Sequence, residues 1–197
     1  MSNTSFVIRT VVLAIAGSVL VFLLVGLMLA DSWQVKTTRT IRAPAAVIAD
    51  KVTDLGAWAD WCALDFRLGN PTERAVVGAK GTTEQVATWS GPLGVATVKL
   101  TRVDANAVDY LIGYKYGPDD QSFGGKFAGT IEWAPDAEDG ADATAVTWVE
   151  NGELTNLVQR WSNWFGALQD KVQQVQRSSL AGLDENIRRG KDKAPPK

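Results

Sequence analysis

The sequence contains no histidine among its 197 residues and only one cysteine, Cys62. Histidine is the commonest general acid or base and the commonest metal ligand, so its absence argues against a histidine-based catalytic site and against a metal site. A single cysteine excludes an intrachain disulfide, and it fits a reducing compartment and a bacterial exterior equally well. We therefore expect neither a metal nor another cofactor.

The chain also lacks an excess of either charge, since 20 lysines and arginines stand against 22 aspartates and glutamates, for a formal net charge of -2. Because charges of both signs are scattered, we expect no nucleic-acid partner. Past the first thirty residues about 165 remain, which is the usual size of one domain with one core.

One long uncharged segment is present, at residues 11–30. It contains thirteen Leu, Ile, Val or Phe residues, and its twenty residues span roughly 30 Å as a helix, the hydrocarbon thickness of a bilayer. The thirteen strongly apolar residues favour insertion by on the order of 4 to 8 kcal/mol. A cleaved signal peptide would place Met28 and Ala30 at the -3 and -1 positions, and Met28 does not suit that site. The pattern predicts a single-pass transmembrane helix over 11–30, after a short amino-terminal segment over 1–10.

The side of the membrane that holds the domain stays open at this point. Arg9 precedes the apolar segment, whereas Lys36, Arg39 and Arg42 follow it and favour a cytoplasmic domain. Those three residues also belong to the first predicted strand, and long domains translocate largely regardless of charge. The expected location is the bacterial cytoplasmic membrane, with the domain on either side of it.

Period-two alternation begins directly after this segment. Trp33, Val35, Thr37 and Ile41 alternate with polar residues and predict a first strand. Two short helices follow over about 43–61, with a break at Gly56, and from Thr82 onward the chain predicts an antiparallel meander. The apolar faces of its strands are formed by Ala96, Val98 and Leu100; Val108, Tyr110, Ile112, Tyr114 and Tyr116; Phe127, Gly129, Ile131 and Trp133; and Thr144, Val146 and Trp148.

A long carboxy-terminal helix completes the predicted domain. Asn156 is a suitable amino-terminal cap, and apolar residues recur at spacings of three and four from Leu157 to Ile187, which gives one apolar stripe. The last residues, 190–197, are basic and without periodicity, and we expect a disordered tail there.

The order of these elements and several short motifs resemble a known family. The motifs are Ile41-Arg42-Ala43-Pro44 through Val47, Val52-Thr53-Asp54, Trp58 to Trp61, Val77-Gly78-Ala79, Trp89 and Val146-Thr147-Trp148. Over residues 33–189 they resemble the polyketide cyclase/dehydrase branch of the START-like (SRPBCC) superfamily, and in particular members with an amino-terminal membrane helix. The resemblance implies an α+β helix-grip fold, in which a curved antiparallel sheet surrounds the long helix with a hydrophobic cavity between them. It does not imply a reaction.

The resemblance also indicates which residues line that cavity. The predicted ligand-binding residues are Trp89, Tyr114, Tyr116, Phe127, Trp148, Trp161, Phe165 and Leu168. The alternative is a filled core, since eight tryptophans are able to pack the same space. Catalytic residues stay unknown: Arg67, Trp89, Tyr114 and Tyr116 match no catalytic motif of the family residue by residue. The carboxylates of Asp60, Asp65, Glu150 and Glu153 suit acid/base work or solvated ends of strands and helices equally well.

Three functions remain open. The first is a membrane-anchored domain that binds a lipid or other lipophilic small molecule, which makes the bilayer and that molecule its partners. The second is a cyclase, dehydrase or hydrolase acting on a polycyclic or acyl substrate, and the third is a membrane-tethered interaction protein without a ligand. Only Asp31 and Ser32 separate Ala30 from the first strand. We therefore expect the domain to sit at the headgroups, where a ligand can enter from the bilayer.

Overall fold

The computed structural model describes residues 3–64, 68–69, 73–116, 125–136 and 142–192. Within these ranges the chain forms an amino-terminal helix and an α+β domain. The helices are α1 (Asn3–Met28), α2 (Ala45–Val52), α3 (Leu55–Trp58), α4 (Leu157–Trp164) and α5 (Ala167–Asp192). The strands are β1 (Ser32–Ile41), β2 (Glu73–Val77), β3 (Val86–Gly91), β4 (Gly94–Val103), β5 (Ala107–Tyr116), β6 (Gly125–Pro135) and β7 (Thr144–Glu153).

The strands form one curved antiparallel sheet in the order β1-β7-β6-β5-β4-β3-β2. Strands β2 to β7 pair consecutively, as expected for a meander. Strand β1 is added at the edge beside β7, and it pairs with β7 from Ser32 opposite Glu153 to Ile41 opposite Thr144. The first strand, attached to α1, therefore lies at one edge beside the last strand.

Helix α5 packs across the inner face of the sheet, chiefly on β1. Two polar contacts fix it there: Thr37 Oγ1 donates to Gln176 Oε1 at 2.7 Å, and Arg39 Nη2 donates to Asp184 Oδ2 at 2.7 Å. The apolar residues Val172, Val175, Leu183 and Ile187 of α5 are buried. This sheet and helix form the helix-grip fold predicted from the sequence, with the apolar helix α1 ahead of it.

The structure differs from the sequence prediction in three local features. The carboxy-terminal helix is broken at Gly166, whose φ of 77° lies in the left-handed region that glycine adopts without strain. The chain therefore turns between α4 and α5 instead of continuing as one helix. Strand β2 was not predicted, because its five residues are all exposed and show no apolar face. The break between α2 and α3 falls at Asp54, which caps α3 by accepting from the Gly56 N–H, so Gly56 lies inside α3.

The ends of the long helices also differ from the predicted boundaries. Helix α1 begins at Asn3, inside the segment expected to precede the span, and ends at Met28, two residues before the predicted end, whereas α5 continues to Asp192. The rest of the predicted tail, residues 193–197, lies outside the described residues.

Candidate functional site

A polar contact crosses three strands in the middle of the sheet. Tyr110 on β5 pairs with Gly129 on β6, and Gly129 pairs with Glu150 on β7. A Cβ at Gly129 would lie 2.2 Å from Cζ of Tyr110, so the tyrosine ring occupies the space above this glycine. The Tyr110 hydroxyl thereby reaches across β6 and donates to Glu150 Oε1 at 2.7 Å. A residue without a side chain is what allows this contact.

The same hydroxyl accepts a hydrogen bond from Trp148 Nε1 at 2.7 Å. Burial, and then the charge and the hydrogen bond of Glu150, raise the pKa of Tyr110 well above its ordinary value of 10.0, although the Trp148 hydrogen bond opposes them. At neutral pH the hydroxyl is therefore a hydrogen-bond donor and not a base. Tyr110 and Glu150 are each only 1% exposed, so this contact is closed from solvent within the core.

Aromatic rings surround this contact. Trp58, Trp61, Tyr110 and Trp148 pack with ring centroids 5.2 to 6.4 Å apart in tilted or edge-to-face geometry, the arrangement that ring quadrupoles favour. Trp58 Nε1 donates to the Val52 carbonyl at 2.8 Å, which ties the ring to the end of α2. We call these four residues the closed half of the grip, because the residues around α3 fill the space between the sheet and α5.

The opposite end of the grip contains a cavity of about 570 Å³. It lies where β1 begins and β7 ends, and its apolar lining includes Trp33, Phe127, Leu154 and Leu168. We call these four residues the open end. The other lining residues are Leu111, Ala128, Asn151, Gly152, Glu153, Thr155 and Gln159.

Glycine again shapes the wall at the open end. Gly152 pairs with Trp33 on one side and Phe127 on the other, and a Cβ there would lie 2.6 Å from Phe127 Cδ1 and 2.8 Å from Trp33 Nε1. The two rings therefore meet edge to face over Gly152, with centroids 5.2 Å apart. Trp33 Nε1 is buried and has no hydrogen-bond partner within the described part of the chain. The wall thus combines apolar surface with this buried, unpaired indole N–H beside Gly152.

Helix α4 joins the open end to α1. The Trp161 ring stacks on Phe22 of α1 with centroids 4.5 Å apart and an interplanar angle of 5°. Arg160 Nη1 donates to the carbonyls of Leu27 and Leu29, at 3.1 and 3.5 Å. A second groove, of about 610 Å³, runs between Trp161 and α1 and is lined by Ala14, Gly17, Ser18, Val21, Phe22, Val25 and Trp161.

The predicted ligand-binding residues fall into distinct places. Trp89, Tyr114 and Trp148 are buried in the main core, whereas Phe127 and Leu168 line the cavity. Trp161 stacks on α1, and Phe165 beside it is 73% exposed. The side chain of Tyr116, together with Arg67 and Asp65, lies outside the described residues.

Sequence reasoning did not single out Tyr110 and Trp33, nor Glu150 as a buried partner. One signal was available for the glutamate, because Glu150 is two residues from Trp148 and must share its inward face. A carboxylate on the apolar face of a strand needs a buried partner. Of the two carboxylates near the end of β7, Glu150 is buried and Glu153 is exposed.

An open curved sheet around a long helix, with a cavity at one end, defines a helix-grip protein of the SRPBCC type. A family model described as polyketide cyclase/dehydrase and lipid transport matches residues 32–188. The chain therefore belongs to the polyketide cyclase/dehydrase and lipid transport family. A search of curated proteins finds no match.

Solved structures from several bacteria share the fold. Protein CV1439 of Chromobacterium violaceum aligns with a TM-score of 0.54 at 15% identity, covering 78% of this chain and 96% of that one. Protein MLL2253 of Mesorhizobium loti aligns with a TM-score of 0.54 at 14% identity, covering 80% and 98%. An uncharacterized protein of Bacillus thuringiensis gives 0.53 at 11% identity, covering 78% and 98%. At these identities the likeness concerns the fold.

Proposed function

We propose that this protein is a single-pass membrane-anchored domain that binds a lipid or other lipophilic small molecule in the cavity at the open end. The observation that carries the proposal is the position of this cavity. The cavity opens beside the carboxyl end of α1. Over Phe6–Met28 this helix is long and apolar enough to cross a membrane.

The connection between helix and cavity is short. Helix α1 ends at Met28, and Trp33 in the cavity wall is five residues further on, within about 17 Å even for extended chain. The Leu154 N–H donates to the Asp31 carbonyl at 2.6 Å, which ties the connection to the end of β7. A bilayer around α1 would therefore lie close to the cavity, and a lipophilic ligand would have a short path out of water.

The chemistry of the wall suits a ligand with an apolar body and a polar end. The volume of about 570 Å³ is within the range of about 300 to 1,000 Å³ that is typical of small-molecule sites. Trp33, Phe127, Leu154 and Leu168 provide apolar surface. Polar groups at the rim, from Asn151, Glu153, Thr155 and Gln159, are able to bind a headgroup or hydroxyl.

A cavity-filling variant tests the proposal. The full chain is purified in detergent with its native lipid and analysed by native mass spectrometry, beside Leu168→Trp, which places an indole in the cavity. Val77→Trp is the matched control, because Val77 is exposed on β2 at the far edge of the sheet. We expect the unaltered chain and Val77→Trp to retain bound lipid and Leu168→Trp to lose most of it.

Lipid held around α1 alone would be retained equally by all three proteins, and that result would overturn the proposal. Thr155→Trp enters the same cavity from the segment after β7, where Thr155 is exposed, and serves if Leu168→Trp fails to fold. Equal retention by Thr155→Trp would contradict the proposal in the same way.

A further inference from the structure

Helix α4 and the residue after it, Phe165, carry three large exposed apolar side chains. Val158, Trp164 and Phe165 are 79%, 66% and 73% exposed, and no residue of α4 is buried. Three large apolar side chains are thus exposed within eight consecutive positions, whereas single exposed hydrophobic residues are common on any protein. Such a concentration of exposed apolar surface indicates a partner surface.

The place of α4 along α1 indicates which partner. Its Trp161 stacks on Phe22, which precedes the last residue of α1 by six positions, or about 9 Å along the helix axis. A Cβ at Gly26 would lie 2.6 Å from Trp161 Nε1, so the indole lies directly against the α1 backbone. Helix α4 is therefore beside the final turns of the apolar helix and not beyond its end.

The composition of α4 agrees with a position at the level of the lipid headgroups, beside the end of α1. Interfacial helices bury an apolar face about 5 to 10 Å into the boundary between headgroups and acyl chains, and tryptophan is enriched at that level. The one charged residue of α4 is Arg160, whose guanidinium reaches the carbonyls of Leu27 and Leu29 at the end of α1. No acidic residue of α4 would oppose an anionic lipid surface.

We infer that α4 with Phe165 is a second membrane-contacting element, held by packing on α1 and immersed in the interface of the bilayer that α1 crosses. The inference rests on the proposed membrane anchoring and goes beyond it. Gln159 of α4 lines the cavity while Val158, Trp164 and Phe165 are exposed. Helix α4 would thus hold the open end against the lipid surface.

Fluorescence quenching by lipid-borne spin labels tests this inference in the full chain in vesicles. Single cysteines carrying an environment-sensitive fluorophore are introduced into a Cys62→Ala background at Val158→Cys and Phe165→Cys. Val19→Cys, in the middle of α1, reports anchoring. Glu185→Cys is the domain control, because it is exposed about 27 Å along α5 from its first residue.

We expect spin labels near the glycerol end of the acyl chain to quench both α4 positions by about half or more, as for residues at the interface. Labels near the methyl end should quench Val19→Cys, and Glu185→Cys should stay unquenched. Quenching at Val19→Cys without quenching on α4 would overturn this inference and leave the proposed anchor intact. The same result is expected if another protein, and not lipid, covers α4. No quenching at Val19→Cys would overturn the proposed anchoring together with this inference.

Two glycines of α1 provide a matched test of the packing. Gly26→Leu must displace Trp161, whereas Gly17→Leu extends into open space, since a Cβ there has no atom within 4 Å. We expect Gly26→Leu to lower the quenching at Phe165→Cys at least twofold and Gly17→Leu to leave it unchanged. Equal quenching in both variants would contradict docking of α4 on α1.

A measurement without introduced cysteines covers the case in which Cys62→Ala fails to fold. Brominated lipids quench tryptophan on contact, and the difference between the unaltered chain and Trp164→Phe isolates Trp164. A quenched difference signal supports the inference, and an unquenched one overturns it.

Discussion

The two ends of the grip use the same sheet and differ in what fills the space below α5. In the closed half, Trp58 and Trp61 from the α3 region occupy that space, and Gly182 of α5 allows close approach, since a Cβ there would lie 2.6 Å from the Trp61 carbonyl oxygen. At the open end no such insertion is described, and Leu168 borders a cavity of about 570 Å³. The sheet thus sets the outline, whereas the inserted tryptophans fill the space at one end and a cavity is present at the other.

The comparison extends to polar groups. In the closed half the Tyr110 hydroxyl both accepts from Trp148 and donates to Glu150. Trp61 Nε1 in the closed half and Trp33 Nε1 at the open end are both buried without a hydrogen-bond partner in the described residues. A buried donor left without a hydrogen bond costs about 1 to 3 kcal/mol. Both ends carry that cost, so the paired hydroxyl of Tyr110, and not an unpaired donor, is what distinguishes the closed half.

The largest predicted effect contrasts one aromatic residue from each end. Trp148→Ala removes a fully buried indole that touches three rings, so we expect it to lower the free energy of unfolding by about 3 to 5 kcal/mol. Phe127→Ala removes a half-buried ring that already borders a cavity, and we expect about 1 to 2 kcal/mol. Urea unfolding of the full chain in detergent, followed by circular dichroism, measures both values. Equal losses would show that the two ends are packed alike.

Most of the fold was predictable because the dominant signals are periodic. Alternation along β1, β5, β6 and β7 identifies the inward faces, and Asn156 caps α4 by accepting from the Gln159 N–H, as the sequence suggested. The break at Gly166 was missed because the apolar stripe continues through it. The stripe in fact serves two partners, since Leu157 and Trp161 face α1 whereas Val172 and Leu183 face the sheet.

The site was less predictable for a physical reason. Alternation tells which face a residue occupies, but the contact between Tyr110 and Glu150 depends on strand register and on the missing side chain of Gly129. Register is a property of paired strands and is absent from any single strand. The cavity similarly depends on how far the α3 region reaches beneath α5.

An intermediate effect is expected from one of two glycines that lie in neighbouring strands. Gly129→Ala places a Cβ within 2.2 Å of the Tyr110 ring. The ring must then move and its hydroxyl loses the hydrogen bond to Glu150, so we expect the free energy of unfolding to fall by about 1 to 3 kcal/mol. Gly113→Ala on β5 is the matched control, because a Cβ there meets nothing within 4 Å, and its effect should stay within about 0.5 kcal/mol. The same urea titration distinguishes them. If both variants match the unaltered chain, the ring does not lie across β6.

An effect of similar size comes from the hydroxyl alone. Tyr110→Phe keeps the ring in the closed half and removes the hydrogen bonds to both Trp148 and Glu150, so we expect the free energy of unfolding to fall by about 1 to 3 kcal/mol at neutral pH. Filling the open end should not change this loss. A Tyr110→Phe effect that differs between the unaltered chain and Leu168→Trp would show that the two ends are coupled.

The pH dependence of the Tyr110→Phe effect gives it a distinct signature. Because burial and Glu150 raise the pKa of Tyr110 above 10.0 in the folded state, the unfolded chain binds fewer protons than the folded one as the pH rises past 10.0. The contribution of Tyr110 is therefore complete below pH 10.0 and is lost above it, by up to about 1.4 kcal/mol per pH unit. The unaltered chain should lose stability more steeply above pH 10.0 than Tyr110→Phe, in which the other titrating groups are unchanged. Parallel stability curves for the two proteins would mean that the tyrosine hydroxyl is open to water, and the closed half would then not be closed.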